Sequence, residues 1–478
     1  MNGTVSTIEI TAEQQQLITV DQAWHYRIVP KSVSIASIEF YIDETSSASA
    51  ATEELEMIFN KMVVFSLSSK EIVQQALAAY YRKNDLSIKT RRLEYDSGSD
   101  NFLVNLILDA KQIKSSDIHI EIFEESCRVR IRVDGMLIER FIVEKADYPA
   151  LVNRIKIMSN LDISEKRLPQ DGRIFFNSGG EKFDIRVSIL PTLYGEKVVL
   201  RLLSKDATNI NIHKLGFSEK DLASYLEGTK VKQGMILISG PTGSGKTTTL
   251  YATLKLLNED TRNVLTIEDP IEYTLHGINQ VQLKESIGLN FGSTLRTFLR
   301  QDPDIIMVGE IRDPDTAAMA IRLSLTGHLV LSTIHTNSAW GTISRLVDMG
   351  VPAFLLASTL TTSVAQRLIR LLCPHCKVKK ELNTSIYPRH FKPSQDVAFH
   401  YEPVGCEECY YTGYKGRKAV YEVIPIDYEL AGYIKKAELE ISAVLEEKNI
   451  KTLASNAFEI FADGDTSLEE IYPLLISF

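Results

Sequence analysis

The stretch that decides the fold is GPTGSGKT at residues 240–247, which fits the phosphate-loop pattern GxxxxGK[ST]. It follows a short apolar run at 235–239 (MILIS) that is typical of a buried strand, and it precedes a segment at 248–257 (TTLYATLKLL) that predicts a helix. A glycine-rich turn between strand and helix points backbone N–H groups at an anion and places the helix N-terminus behind it. We therefore predict a nucleotide-phosphate loop here rather than an ordinary glycine turn.

Two side chains of this stretch have specific expected roles. Lys246 can reach the outer phosphates of a bound nucleotide, and Thr247 can hold Mg²⁺ through its hydroxyl. The predicted nucleotide-binding residues are Gly240, Pro241, Thr242, Gly243, Ser244, Gly245, Lys246, Thr247 and Thr248.

Length and composition limit the class of protein. A chain of 478 residues, 44% of them hydrophobic, is long enough for two to four domains. Its net charge of -9 argues against a general nucleic-acid binder, so we expect no direct nucleic-acid partner. The first residues lack the basic and apolar regions of a signal peptide, and the chain lacks an apolar stretch of about eighteen residues. We expect a cytoplasmic protein whose membrane contact is peripheral.

Residues 1–97 predict a small N-terminal α/β module. Ser68 and Glu71 have the spacing of a capping box, and the helix that they would open carries Val73, Ala76 and Leu77 on one face. A docking or adaptor role is the default expectation for such a module.

Residues 98–205 predict a second, α+β domain. Helices are expected at 102–113 and 151–161, with alternating strands between them and a hairpin turn at Asp134-Gly135. Two later strands are expected to end near Arg186 and Arg201. Residues 206–213 predict a hinge.

Beyond about residue 214, strand and helix patterns alternate, which implies a mostly parallel sheet. Three strands are expected to end at Glu268, just before Glu310, and near His335. Ligands in open α/β sheets lie at the carboxyl ends of the strands, so these side chains should meet the phosphate loop in one crevice. Gly309 stands where many phosphate-loop ATPases have a metal-binding Asp.

Water activation in this crevice needs a carboxylate. Glu310 is the leading candidate, Glu268 is its rival, and a merely solvated acid at the strand end is the alternative. His328 and His335 flank the same predicted strand, and each is either a structural residue or a sensor of the γ-phosphate.

Four cysteines form two C-x-x-C pairs. Such pairs in a reducing compartment favour tetrahedral thiolate coordination of Zn²⁺ over free thiols or redox use. With all four positions filled by protein, the site would be structural and not catalytic. The predicted ligands are Cys373, Cys376, Cys406 and Cys409, and the fifth cysteine, Cys127, is expected in a core.

Four runs of sequence closely resemble the secretion ATPase superfamily. They are GPTGSGKTTT at 240–249, EDPIEY at 268–273, LRQDPDIIMVGEIRD at 299–313 and TGHLVLSTIHTN at 326–337. Within the superfamily the chain looks like type II secretion ATPases and type IV pilus extension ATPases, and its cysteine pairs resemble their tetracysteine zinc subdomain. The similarity covers about 98–478 and is weak over 1–97.

The resemblance implies an α/β fold with an N1-like module at 1–97, a PAS-like N2 domain at 98–205 and a RecA-like ATPase domain at 214–478. The zinc subdomain would occupy about 370–417. It also implies a homohexamer that couples ATP hydrolysis to an inner-membrane platform protein, so that the protein would associate peripherally with the inner membrane. The N1-like module would bind a cytoplasmic or membrane-anchored adaptor. In this family N2 arginines reach the γ-phosphate, and here they match Arg186 and Arg201.

Two other classes of function stay open at this stage. One is a nucleotide-binding switch or scaffold without useful turnover, against which the intact Lys246 and Glu310 argue. The other is a DNA-transport motor, against which the acidic net charge argues. The sequence does not distinguish secretion, pilus and competence systems.

Overall fold

The computed structural model describes most of the chain in two compact units. The first unit is Met1–Arg91 with Asn383–Arg389, and the second is Arg92–Leu382 with His390–Phe478. The described residues are 8, 10–34, 36–43, 52, 55–56, 58–59, 61–69, 72–73, 76–77, 80–81, 93–94, 102–203, 211–383, 386–438 and 440–476. Among them, no helix is both long enough and apolar enough to span a bilayer.

The first unit contains a three-stranded sheet in the order β1-β2-β3. Helices α1 (Ala12–Gln15) and α2 (Val20–Tyr26) precede β1 (Ile28–Val33), which pairs antiparallel with β2 (Ser37–Asp43). β3 (Met62–Ser68) runs parallel to β2. The alternating side chains of these strands face a small hydrophobic core, as expected of a half-buried sheet.

The helix predicted after β3 has its expected buried face, because Val73 and Leu77 are buried. The predicted N-cap is wrong by one residue. Ser68 is the last residue of β3, and the backbone carbonyl of Ser69 accepts the N–H of Val73 at 3.1 Å. Glu71, the other half of the predicted capping box, lies outside the described residues.

The second unit begins with a seven-stranded sheet, which we call the upstream sheet. Its elements are β4 (Leu93–Glu94), α3 (Phe102–Gln112), β5 (Asp117–Ile122), β6 (Cys127–Val133), β7 (Met136–Val143), α4 (Tyr148–Met158), β8 (Gln170–Ser178), β9 (Glu181–Thr192) and β10 (Gly195–Leu203). The order is β4-β7-β6-β5-β10-β9-β8. α3 and α4 pack on one face, where Leu106 and Ile155 share a core with Ile118. Cys127 lies in this core, as the sequence predicts.

One detail of the upstream sheet differs from expectation. Both strands that should end near the arginines continue beyond them, so Arg186 and Arg201 lie within β9 and β10 and pair directly across the two strands. The hairpin turn at Asp134-Gly135 is present, with φ angles of 49° and 88° at the two positions. The hinge predicted at 206–213 lies mostly outside the described residues; its end forms the short 3₁₀ helix Ile212–Lys214.

A second seven-stranded sheet, the phosphate-loop sheet, follows. Its elements as far as the last parallel strand are α5 (Glu219–Thr229), β11 (Gly234–Ser239), α6 (Lys246–Leu257), β12 (Val264–Glu268), β13 (Asn279–Gln282), α7 (Phe291–Phe298), β14 (Ile305–Val308), α8 (Pro314–Leu325), β15 (Leu329–Ile334), α9 (Gly341–Asp348), α10 (Ala353–Thr359) and β16 (Leu360–Leu372). The strands β11, β12, β14 and β15 are buried along their whole length, as expected where helices cover a parallel sheet on both faces.

Among the described residues, the remainder of the chain adds three strands and four helices. They are β17 (Val378–Glu381), β18 (Phe399–Glu402), β19 (Tyr414–Pro425), α11 (Tyr428–Lys435), α12 (Ser442–Glu447), α13 (Leu453–Ala462) and α14 (Leu468–Leu475), with β17 and β18 forming a separate two-stranded sheet. The phosphate-loop sheet has the order β13-β12-β14-β15-β11-β16-β19, and only the pairing of β16 with β19 is antiparallel. The predicted α/β fold class is confirmed.

One buried ion pair joins α4 to β10 in the upstream sheet. The side chain of Lys156 is 0% exposed, and its Nζ lies 2.6 Å from Glu196 Oε1 and donates to the carbonyl of Glu165 at 2.6 Å. Removing one member of a buried pair leaves the other charge without a partner, which costs far more than the pair contributes.

We therefore expect Lys156→Met to destabilise the upstream sheet by about 3 kcal/mol or more. The measurement is urea unfolding of the full chain, monitored by circular dichroism. Limited proteolysis at each urea concentration then reports whether cleavage falls within residues 102–203. In the double variant Lys156→Met/Glu196→Leu most of the loss should be recovered, because no buried charge is left. A double variant less stable than Lys156→Met would contradict this account.

Candidate functional site

The phosphate loop has the conformation that its glycines allow. It joins β11 to α6, and Gly240, Gly243 and Gly245 have φ angles of 149°, 81° and 87°, a region that side-chain-bearing residues rarely adopt. A Cβ at Gly240 would lie 2.4 Å from the backbone oxygen of Gln366, and one at Gly245 would lie 2.8 Å from Gln366 Nε2. Strand β16 therefore lies in close contact with the phosphate loop.

Lys246 is the first residue of α6 and is 9% exposed. Its Nζ donates to the carbonyls of Gly240 at 2.8 Å and Pro241 at 3.0 Å. Burial lowers the pKa of Lys246, and the nearby charge of Glu310 opposes that shift. The hydroxyl of Ser244 is buried without a hydrogen-bond partner among the described groups, whereas Thr247 is exposed. The loop thus presents a cation and unused hydroxyls to an anion.

Three other strands end beside the loop. In the sheet, β11 pairs with β15, β15 with β14 and β14 with β12, all parallel, so that their carboxyl ends lie along one edge. Glu310 follows β14, His335 follows β15, and Glu268 is the last residue of β12. His328 directly precedes β15 and thus lies at the opposite ends of these strands, where its Nδ1 is 3.0 Å from the carbonyl of Leu323. The sensor role considered for His328 is therefore wrong.

The carboxylate of Glu310 is partly exposed, with 16% of the side-chain surface accessible. Its Oε1 lies 2.5 Å from the guanidinium of Arg312, and its Oε2 lies 3.5 Å from His335 Nε2. The hydrogen bond to Glu310 raises the pKa of Arg312. Both partners are themselves exposed, so a water molecule can approach the carboxylate.

Glu268 has a different environment and is 3% exposed. Its Oε1 accepts hydrogen bonds from Thr266 Oγ1 at 2.6 Å and Gln280 Nε2 at 3.1 Å, and its Oε2 accepts one from the hydroxyl of Tyr251. Both oxygens are therefore engaged by neutral donors of the protein. This arrangement suits a structural anchor better than a base that must hold water.

Gly309 adjoins this anchor. Its N–H donates to the carbonyl of Ile267 at 2.8 Å, and a Cβ would lie 3.2 Å from the same oxygen and 3.4 Å from the Cα of Glu268. The close approach of β12 and β14 explains why this position has no side chain.

The two predicted arginines are placed differently. Arg186 Nη2 donates to the carbonyl of Ile271 at 2.5 Å, and its Nη1 donates to Glu272 Oε2 at 3.2 Å. Its Nε is buried without a hydrogen-bond partner among the described groups. Arg201 is 58% exposed and donates through Nε to Asp117 Oδ1 at 3.0 Å within the upstream sheet. The structure thus brings Arg186, and not Arg201, to the acidic segment that follows β12.

Sequence reasoning missed the residues of β16 that support the loop. Gln366 accepts a hydrogen bond from Thr249 Oγ1 at 2.9 Å. Arg367 donates through Nη2 to the carbonyl of Asn337 at 3.0 Å, which ties the segment after His335 to β16. The sequence carries no signal for this arrangement, because it depends on which strand pairs with β11 more than a hundred residues earlier.

The four predicted cysteines of the C-x-x-C pairs lie together, with all Sγ atoms within 4.8 Å of one another. Three Sγ–Sγ distances are 3.8 Å: Cys373–Cys406, Cys376–Cys409 and Cys406–Cys409. Four sulfurs at about 2.3 Å from one zinc ion would be separated by about this distance in a tetrahedron. The N–H groups of Gly405 and Gly413 donate to the sulfurs of Cys376 and Cys409, respectively, at 3.3 Å, which would stabilise thiolate ligands.

Comparisons with known proteins identify the family. The family described as type II/IV secretion system protein matches residues 94–473. The type IV pilus assembly ATPase PilB of Myxococcus xanthus is 48% identical over 378 residues, which are 77% of this chain and 66% of that protein. The type II secretion system protein E of Dickeya dadantii is 40% identical over 469 residues, 92% of this chain and 93% of that protein.

Solved structures agree on the fold. The pilus retraction motor PilT, in a crystal structure with bound ADP, has a TM-score of 0.54 and 25% identity over 78% of this chain and 97% of that one. The ATPase DotB of Legionella pneumophila has a TM-score of 0.59 and 21% identity over 82% of this chain and 98% of that one, which supports the fold alone. The chain therefore belongs to the type II/IV secretion system protein family and is an ATPase of that family.

Proposed function

We propose that this chain is a hexameric, Mg²⁺-dependent ATPase that powers type II secretion pseudopilus or type IV pilus assembly. The observation that carries the proposal is the edge of the phosphate-loop sheet, where Lys246, Glu310 with His335, and the Arg186-bound segment lie side by side. The named functions of PilB of Myxococcus xanthus and protein E of Dickeya dadantii support the choice of system class.

In this proposal the nucleotide phosphates take the place of the two loop carbonyls as partners of Lys246, together with loop N–H groups and the N-terminus of α6. Thr247 is exposed at the first turn of α6, and hydroxyl oxygen is a suitable ligand for Mg²⁺. When bound, Mg²⁺ supplies neutralisation of the phosphate charge.

Glu310 orients the attacking water, and His335 holds the far side of that carboxylate. We favour Glu310 over Glu268 because the oxygens of Glu268 are occupied by Tyr251, Thr266 and Gln280. A carboxylate with three neutral donors must break one of these hydrogen bonds before it can hold water.

Arg186 is the proposed contact of the upstream sheet with the γ-phosphate. Its unpartnered Nε is a buried donor that a phosphate oxygen would satisfy. Arg201 lies next to it across the strands and is exposed, so we propose that it joins when nucleotide draws the two sheets together. Closure on ATP and release after hydrolysis would then be the working stroke.

The partners follow from the same proposal. An inner-membrane platform protein would receive the stroke, and the module at 1–97 would bind a cytoplasmic or membrane-anchored adaptor. The protein would act in the cytoplasm, peripherally associated with the inner membrane. The tetracysteine cluster would hold Zn²⁺ as a structural ion, since four protein sulfurs leave no open position.

The first experiment compares Mg²⁺-dependent ATP turnover and assembly mass in the wild type and three variants. We expect a six-chain particle with slow turnover, loss of turnover in Lys246→Ala, and a fall of about a hundredfold or more in kcat in Glu310→Gln. The control is Glu227→Gln, an exposed acid on α5, which should keep full activity.

Full turnover in Glu310→Gln would move water activation to Glu268. Nucleotide binding by a monomer without turnover, even with the membrane platform partner added, would instead favour a nucleotide switch or scaffold. Turnover that depends on added DNA would favour a DNA-transport motor.

A second experiment tests the structural ion. We expect one zinc ion per chain by elemental analysis of protein purified under reducing conditions, and loss of that ion in Cys376→Ser. Cys127→Ala is the matched control, because Cys127 is buried in the upstream core away from the cluster. Wild-type protein free of zinc with all four cysteines reduced would contradict the assignment.

A further inference from the structure

Tyr251 links the phosphate-loop helix to the acidic segment after β12. It lies on α6 one turn beyond Thr247, and it is 1% exposed. Residues four apart lie on the same face of a helix, so Tyr251 lies one turn along α6 from Thr247, the residue proposed to hold Mg²⁺. Its ring packs edge-on against Tyr273, with 4.5 Å between the ring centroids.

The hydroxyl of Tyr251 makes two hydrogen bonds of opposite sense. It donates to Glu268 Oε2, and it accepts the backbone N–H of Glu272 at 3.3 Å. One hydroxyl therefore fixes both ends of the segment 268–272 relative to α6. Burial and the adjacent Glu268 carboxylate raise the pKa of Tyr251 above its usual range, so the hydroxyl keeps its proton.

The same segment receives the arginine of the upstream sheet. Arg186 contacts the carbonyl of Ile271 and the carboxylate of Glu272, which lie at the end of the segment that is farther from β12. Glu272 thus links Tyr251 on α6 to Arg186, because its backbone N–H donates to the tyrosine hydroxyl and its carboxylate accepts from the arginine.

We propose that Tyr251 is a positioning residue of the ATPase site, whose hydroxyl holds the segment 268–272 where Arg186 docks. This inference rests on the proposed function, since it assigns a residue to the hydrolysis described there. Tyr251 does not touch the nucleotide in this proposal. It acts through the backbone of Glu272 and the carboxylate of Glu268, and so it sets the geometry of domain closure and not the affinity of the loop for phosphate.

The test uses Tyr251→Phe, which keeps the ring and removes the hydroxyl, in the full-length assembly. We expect kcat for ATP to fall about tenfold or more, because one buried hydrogen bond to a carboxylate is lost. KM for ATP should stay within about twofold, because Lys246 and the loop N–H groups are untouched. The matched control is Tyr273→Phe, since the Tyr273 hydroxyl is buried without a hydrogen-bond partner among the described groups, and this variant should keep wild-type kcat.

A second readout separates positioning from mere stability. Tyr251→Phe and Arg186→Gln should be less than additive in kcat, because both act through Glu272. The thermal unfolding midpoint is measured for each variant, and all assays are run where each is folded.

Wild-type kcat in Tyr251→Phe would overturn the inference while leaving the proposed function intact. A fall matched by Tyr273→Phe, or one that is fully additive with Arg186→Gln, would also overturn it. A wild-type protein whose turnover does not depend on Lys246 would overturn the proposed function, and this inference with it.

Discussion

The buried ammonium of Lys246 is the constraint on which the site depends. Its hydrogen-bond acceptors are two loop carbonyls. Among the described residues, no carboxylate forms an ion pair with it, and burial lowers its pKa. A cation held in this way is most stable when an anion joins it. The glycines that bring the carbonyls close also turn N–H groups towards the same point. Strand β16 restricts this geometry, because it lies so close to the loop that no side chain fits between Gly240 and the backbone of Gln366.

The two acids at the strand ends have the same functional group but different surroundings. Glu268 ends β12 and Glu310 follows the neighbouring parallel strand β14, yet the oxygens of Glu268 are all engaged by protein donors whereas the partners of Glu310 are exposed. The engaged oxygens make Glu268 part of the scaffold, and Gly309 packs closely against its backbone. Accessibility leaves Glu310 free to exchange partners, which a group that handles water requires. The same ends of the strands therefore carry one acid whose oxygens are both engaged by buried protein donors and one acid whose partners are exposed.

The sequence was sufficient for features that depend on local pattern. Apolar strands followed by helices predict a parallel sheet, and the carboxyl ends of such strands meet by geometry alone, so the phosphate loop, Glu268, Glu310 and His335 were expected at one edge. Features that depend on pairing partners were not predictable. The register of β9 with β10 puts Arg186 and Arg201 in mid-strand and sends only Arg186 to the segment after β12. Gln366 and Arg367 reach the phosphate loop because β16 pairs with β11. No local sequence pattern predicts that pairing. The capping box failed at Ser68 because β3 continues through that residue.

Strand β16 also connects the phosphate loop with the tetracysteine cluster. Gln366 and Arg367 support the phosphate loop from the middle of β16, and Cys373 follows its last residue. The antiparallel partner β19 begins shortly after Cys409. The cysteine pairs thus lie at the two ends of the long connection between these strands. An ion bound there would close that connection and reduce the conformational freedom of its unfolded form. The zinc site would thus stabilise the end of β16, the strand whose Gln366 lies against Gly240 and Gly245 of the phosphate loop.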